Sequence, residues 1–320
     1  MTWLGAVLGA GRSLDARAQS PSVWPDRPVR IVSPLGPGGS NDISARILAE
    51  RLQQRTRVPF FVENRPGATT RIGNEFVVHA PADGTTLLYG SAALAVLPTL
   101  SPRLPYDWRR DLVPVTLAVS VPLFLVVAGE LPARDLAEFA ALARTRPQGV
   151  TFAGPGVATV PHLVTELLIR KLGIVGRTVH FRGDAAATVE LLAGRVDATF
   201  TAVTAALPFV QQGKLRVLGV AADTRHAVYP PAPTFAEQGV NGVVGSAWFG
   251  FLAPGRTPPA LVARMHETIG GVLAEPAVRE RLARSGQHAV GSPPDDFAAF
   301  IDSEVRKWEA VIKDAQIKGE

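Results

Sequence analysis

The chain of 320 residues contains no cysteine. That excludes disulfides, thiolate metal sites and a cysteine nucleophile, although it leaves the compartment open. No apolar run reaches about eighteen residues, so the sequence encodes no helix that would span a membrane. The 33 Lys and Arg residues are scattered among 28 acids and form no stripe with interleaved aromatics. Nucleic acid is therefore not an expected partner. Also missing are a G-x-S-x-G elbow, an H-E-x-x-H pair and a kinase motif set. The histidines are His79, His162, His180, His226, His266 and His288, and none stands at metal-ligand spacing from another. No cofactor, metal or catalytic group is expected.

What is present is apolar material and many breaks. Hydrophobic residues make up 47% of the chain, with 27 prolines and 30 glycines. That composition suits about two domains with real cores and short connections. The formal net charge of +5 suits an acidic small ligand.

The chain is organised around residues 29–52, VRIVSPLGPGGSNDISARILAERL. Val29 to Val32 reads as a buried strand. Pro34, Gly36, Pro37, Gly38 and Gly39 form a turn, and the two adjacent glycines are expected to supply a positive φ. Ser40, Asn41 and Asp42 offer N-cap chemistry to a helix carrying Ile43, Ile47, Leu48 and Leu52. A helix N-terminus above a strand end attracts anions; the alternative is an ordinary tight strand-to-helix turn. The turn GPGGSN is not a dinucleotide fingerprint, because its third glycine position holds Asn41, and no Walker lysine follows.

Strands and helical patterns alternate beyond it, as in an α/β fold with largely parallel sheets. Expected strands include residues 60–63, 86–89, 115–119 and 124–128, the third strand ending in the small-residue loop of Gly90, Ser91, Ala92 and Ala93. A second series begins there. It has strands at 149–153, 178–181, 198–201 and 217–221 and helices at 135–144, 162–172, 185–193 and 205–212. Residues 222–245 form a loop-rich return. A strand at 246–253 and three helices, 259–273, 277–284 and 295–315, finish the chain.

The strand, glycine-rich loop and helix device recurs at residues 153–162, through Gly156, Ala158, Thr159 and His162. Two such walls would enclose a cleft. His162 either bonds a ligand or bonds the loop backbone. Arg182, ending a strand beside Gly183 and Asp184, is either a carboxylate partner or a solvent-exposed arginine. The hydroxyls of Thr159, Thr201 and Thr204 could serve many acids. Trp248 and Phe249 read as core or hinge packing. At the N-terminus, Trp3 to Ala10 is apolar and Ala16-Arg17-Ala18 is an A-x-A cleavage pattern. Residues 1–18 thus read as a signal peptide, without the usual basic residues ahead of the apolar run.

Seven segments, taken in order, resemble a known family: residues 24–42, 62–73, 82–90, 104–116, 191–200, 213–220 and 247–254. They are similar to the solute-binding proteins of tripartite tricarboxylate transporters, the TctC or Bug family, across residues 24 to 317. The resemblance implies a periplasmic, two-domain, type II periplasmic-binding-protein-like α/β fold, a "Venus flytrap". Its domains would be residues 24–121 plus 246–320, and residues 122–245. It implies a monomer that captures a small mono- or dicarboxylate and delivers it to membrane permease subunits. It places the ligand at Leu35, Pro37, Gly38, Gly39, Ser40, Asn41 and Asp42, with the opposing loop from Ala153 to Leu163. This chain departs from the family where Gly-Gly is replaced by Thr69-Thr70, where Gly-x-Gly-Thr becomes Gly-Val-Ala-Thr at 156–159, and where Phe gives way to Leu35. The competing readings are an enzyme that uses Arg182 as a substrate clamp and a cytoplasmic effector-binding module.

Overall fold

The computed structural model describes residues 24–101, 103–181 and 183–318. Its first lobe opens with β1 (Val29–Ser33), α1 (Ser40–Thr56), β2 (Phe60–Asn64), α2 (Arg71–Val78), β3 (Thr86–Ser91) and α3 (Ala93–Leu100). The one-turn α4 (Trp108–Asp111) leads into the long β4 (Leu112–Pro122). The second lobe holds β5 (Phe124–Ala128), α5 (Leu136–Thr145), β6 (Val150–Gly154), α6 (Val160–Leu172), β7 (Gly176–His180), α7 (Asp184–Leu192), β8 (Ala198–Thr201), α8 (Val203–Gln211) and β9 (Leu215–Val220). The chain then returns through β10 (Ser246–Pro254), α9 (Pro259–Leu273), α10 (Pro276–Arg284), β11 (His288–Ala289) and α11 (Pro294–Asp314).

Two sheets result, in the orders β11-β4-β10-β3-β1-β2 and β7-β6-β8-β5-β9. Each repeats one plan. Three strands run parallel, and the strand that follows a crossover inserts antiparallel beside the third: β10 against β3, and β5 against β8. β1 lies between two neighbours, with Ile31 opposite both Val62 and Leu87. Val29, Ile31 and Val32 are buried accordingly, because a central strand of a covered sheet sees no water on either face.

The lobes are joined where two chain passages meet. Only Leu123 separates β4 from β5. The Ala221 N–H donates to the Leu123 carbonyl at 2.9 Å, and the Gly245 N–H donates to the Ala221 carbonyl at 3.0 Å. Gly245 also sits where α6 meets α11: a Cβ there would stand 2.4 Å from Val164 Cγ2 and 3.1 Å from the Trp308 ring. Only glycine permits that approach. At the far end of α11, Asp314 pairs with Arg170 of α6.

Most of the expected elements are present with ends shifted by a few residues. α3 is an addition. Its sequence ALAVLPTL is apolar but for Thr99 and contains Pro98, so neither periodicity nor capping marks it. α4 and the two-residue β11 are also additions, and β4 begins at Leu112 instead of Val115. The expected cap of α1 is corrected: Gly39 is the N-cap, and no side chain caps the helix. The expected leader, residues 1–18, lies outside the described residues.

Candidate functional site

Each parallel strand of both sheets is followed by a helix, and the helix N-caps meet in one place. Gly39, Thr70 and Ala92 precede α1, α2 and α3, while Thr159, Gly183 and Ala202 precede α6, α7 and α8. All six residues line a single cavity of about 530 Å³ between the sheets. None of the six helices has a side-chain cap. Away from the cavity, α4 and α5 are capped by Asp107 and Asp135, whereas α9, α10 and α11 have no side-chain cap either. The first turns of a helix carry N–H groups with no intrahelical partner and the positive end of its dipole. Six such ends therefore leave donors and positive potential facing one volume, which is of a size suited to a small molecule.

The first-lobe rim is held from behind. Asp42 accepts the Gly38 N–H at 3.0 Å, Arg46 Nε at 3.0 Å and Asn64 Nδ2 at 2.9 Å. Burial alone would raise the Asp42 carboxyl, yet the bonds from Arg46, Gly38 and Asn64 together hold it below its ordinary value. Asn41 accepts from Ser33 Oγ at 2.6 Å and donates to the Tyr89 carbonyl at 3.2 Å, which ties α1 to β1 and β3. The positive φ of the glycine pair falls at Gly38, at +82°. Gly39 is extended, with φ −81° and ψ 171°, which corrects the expectation for that residue.

The second-lobe rim uses a histidine. Ala158 lies at φ +55°, and its N–H donates to His162 Nδ1 at 3.0 Å. The other face of that imidazole places Nε2 3.5 Å from Glu166 Oε1. The contact with His162 holds the Glu166 carboxyl below its ordinary value against the opposing effect of burial. His162 is buried at 6% exposure, so it supports the loop backbone instead of facing the cavity.

Ten of the expected ligand residues line the cavity. Leu35, Gly39, Ser40, Asn41, Ser91 and Ala92 come from the first lobe, and Ala158, Thr159, Gly183 and Asp184 from the second. Pro37, Gly38, Asp42, Gly156, His162 and Thr201 are not on its lining. Gly38, Asp42 and His162 stand one layer back, and Thr201 is buried at the end of β8. Arg182 lies outside the described residues. Thr69, Thr70 and Ala202 line the cavity as well, although they were not among the expected ligand residues. They too follow a parallel strand and precede a helix, a device that occurs three times per lobe.

Trp248 and Phe249 line the cavity and also belong to the core. Trp248 Nε1 donates to Glu304 at 3.2 Å, and Trp308 Nε1 donates to the same oxygen at 2.8 Å. Leu123 and Val121 at the crossover complete an apolar wall. Among the described residues the lining contains no His, Lys, Arg, Glu, Tyr or Cys; Asp184 is its single ionisable group. Among the described residues no serine or threonine hydroxyl of the lining is hydrogen-bonded to Asp184, so no nucleophile and base pair is in place. No cluster of three metal-ligating side chains occurs among the described residues. A second hollow, lined by Arg30, Arg65 and Phe76 among others, shares no residue with the cavity.

Comparison with known proteins gives this arrangement a context. Residues 44–317 match the model of the tripartite tricarboxylate transporter family receptor, TctC. Protein BugT of Bordetella pertussis is 36% identical, with 99% of each chain covered. The solved structure of R. palustris Rpa4515 with adipate is similar at a TM-score of 0.81 and 31% identity, covering 92% of this chain and 99% of that one. The periplasmic binding protein BugD is similar at a TM-score of 0.78 and 28% identity, covering 93% of this chain and 100% of that one. Those neighbours share the two-domain solute-binding fold described above. The chain belongs to the tripartite tricarboxylate transporter receptor family, a family of solute-binding receptors.

Proposed function

We propose that this protein is an exported solute-binding protein. It captures a small mono- or dicarboxylate between its lobes, without turnover, and hands it to the permease subunits of a tripartite transporter. The observation that carries the reading is the convergence of six uncapped helix N-termini on one cavity. Partly free N–H groups aimed at one point bind a carboxylate in a water-poor site better than water does, and they need no lysine or arginine. The adipate held by the similar Rpa4515 structure supports the ligand class. The lack of a nucleophile and base pair on the described lining supports binding over catalysis.

The domains are residues 24–121 with 246–320, and residues 122–245, with Leu123, Ala221 and Gly245 as the hinge. Residues 1–18 are the leader, removed near Ala18 on export, and the protein acts in the periplasm as a monomer. Arg182 stands as a further ligand contact beside Gly183.

A panel of mono- and dicarboxylates, sugars and amines in thermal shift and titration calorimetry tests the reading. A true ligand at about 100 times its Kd stabilises the fold by roughly 2.7 kcal/mol. Only carboxylates should raise the Tm, and the compound should be recovered unchanged. Stabilisation by sugars or amines alone, or conversion of the bound acid, contradicts it. N-terminal sequencing of periplasmic protein tests the leader; Met1 retained on that fraction contradicts cleavage.

A further inference from the structure

The two rims of the cavity differ in charge. In the first lobe the one nearby acid, Asp42, is turned away and spent on Gly38, Arg46 and Asn64. In the second lobe Asp184, the first residue of α7, lines the cavity itself. Its side chain is exposed toward the cavity, and among the described residues neither a hydrogen bond nor an ion pair engages it. Partial desolvation by the neighbouring protein moves its carboxyl above the ordinary value, and no bond from a described residue offsets this. An aspartate at a helix start usually serves its own helix by capping. Asp184 does not, because the N-cap is Gly183 and α7 has no side-chain cap.

From this asymmetry we infer that Asp184 selects the far end of the ligand: the first-lobe helix ends take the ligand's carboxylate, and Asp184 takes a hydrogen-bond donor, an ammonium above all, in place of a second carboxylate. The inference rests on the carboxylate-binding reading and narrows it to amino-carboxylates. Asp184 sets a fixed anion among the α6, α7 and α8 N-termini, two residues from the proposed Arg182 contact. A dicarboxylate would bring a like charge up to it. An ammonium would bring the opposite charge and fill the vacant acceptor sites of the carboxylate. Within about 6 Å, exchanging attraction for repulsion shifts affinity by about tenfold even at the dielectric of water. The apolar wall of Leu123, Trp248 and Phe249 suits the methylene chain between the two ends.

Pairs of equal length separate the alternatives: glutarate against 5-aminopentanoate, adipate against 6-aminohexanoate, and suberate against 8-aminooctanoate. Each is titrated calorimetrically into the full-length protein and into Asp184→Asn. In the wild type the best amino-carboxylate is expected to bind at least tenfold tighter than its dicarboxylate partner. In Asp184→Asn the dicarboxylate should gain at least tenfold and the amino-carboxylate lose at least tenfold, with the Tm of the free protein little changed. A wild type that prefers the dicarboxylate, or a preference that Asp184→Asn leaves unaltered, overturns the inference and leaves the carboxylate reading standing. Failure of every carboxylate, including simple alkanoates, overturns both.

Discussion

The N–H of Ala158 donates to Nδ1 of His162 at 3.0 Å, four residues along the chain, while Ala158 itself is held at φ +55°. One buried imidazole thus fixes the loop that carries the second-lobe rim. Removing it leaves a buried N–H without a partner, a loss of about 1–3 kcal/mol. His162→Ala is expected to lower stability by that amount in chemical denaturation. It should also weaken ligand binding, because the donors of α6 lose their fixed aim. A variant with unchanged stability would show that the loop is set by other contacts.

The family resemblance has Gly-Gly where this chain has Thr69-Thr70, and glycine where it has Ala158. All three residues sit at positive φ, at +51°, +75° and +55°. The backbone shape has been kept although glycine has not, at a strain of roughly 1–2 kcal/mol per residue. Thr69 is exposed and makes no bond that holds the loop, so Thr69→Gly tests the strain cleanly. Relief of strain exceeds the roughly 0.5–1 kcal/mol of extra chain entropy that glycine brings to the unfolded state. The denaturation midpoint should rise by the equivalent of about 0.5–1 kcal/mol at unchanged slope.

The parallel strands and the helices that follow them were legible because each announces itself twice, as a β-branched run and as a turn of small residues. β1, the Pro34 to Gly39 turn and α1 are the clearest instance. α3 was not legible, since an octet that is apolar but for Thr99 and contains Pro98 carries no period. The site was legible as loops but not in depth. Sequence shows that Asp42 and His162 stand beside the cleft loops; it cannot show that both turn their polar atoms away from the cavity to hold backbone N–H groups. Trp248 and Phe249 read correctly as core, yet a residue at the edge of a core can also form a cavity wall.

Asp42 makes the first-lobe rim sensitive to acid. Its folded value lies below the ordinary one, so its contribution is complete above the unfolded value of about 3.9 and is lost as pH falls through the lower folded value. Asp42→Asn retains one acceptor but loses the charge-assisted bonds from Arg46 and Gly38, at a cost of about 1–3 kcal/mol near neutrality. The gap in stability between wild type and variant should shrink as pH falls below about 4 and on through the lower folded value. Denaturation at several pH values checks this; a gap that does not depend on pH would assign the loss to packing.

Glu304 links the cavity wall to the C-terminal helix. It is 3% exposed, accepts from both Trp248 and Trp308, and is paired with Lys307. Glu304→Leu would strand two buried indole N–H groups and free the lysine, so a loss of about 3–5 kcal/mol is expected. Glu304→Gln keeps an acceptor for the indoles and should lose less. If both variants lose equally, the charge matters and the indole bonds do not.

The two glycines of the first-lobe turn should separate folding from binding. Gly38 is at φ +82°, where a β-branched residue is strained, and its N–H must reach Asp42. Gly38→Val is therefore expected to destabilise the protein by about 1–2 kcal/mol or more. Gly39 is extended, and a Cβ built on it meets no heavy atom within 4 Å. Valine fits that backbone, so Gly39→Val should fold with stability within about 0.5 kcal/mol of the wild type. The space its side chain enters belongs to the cavity, directly over the free N–H groups at the start of α1. A carboxylate held away from two such donors forfeits charge-assisted bonds of about 1.5–3 kcal/mol each. At about 1.4 kcal/mol per decade, affinity should fall at least tenfold to a hundredfold. Denaturation and calorimetric titration of both variants read the two effects apart. A Gly39→Val protein that binds its carboxylate as tightly as the wild type would place the ligand elsewhere and remove the α1 N-terminus from the site.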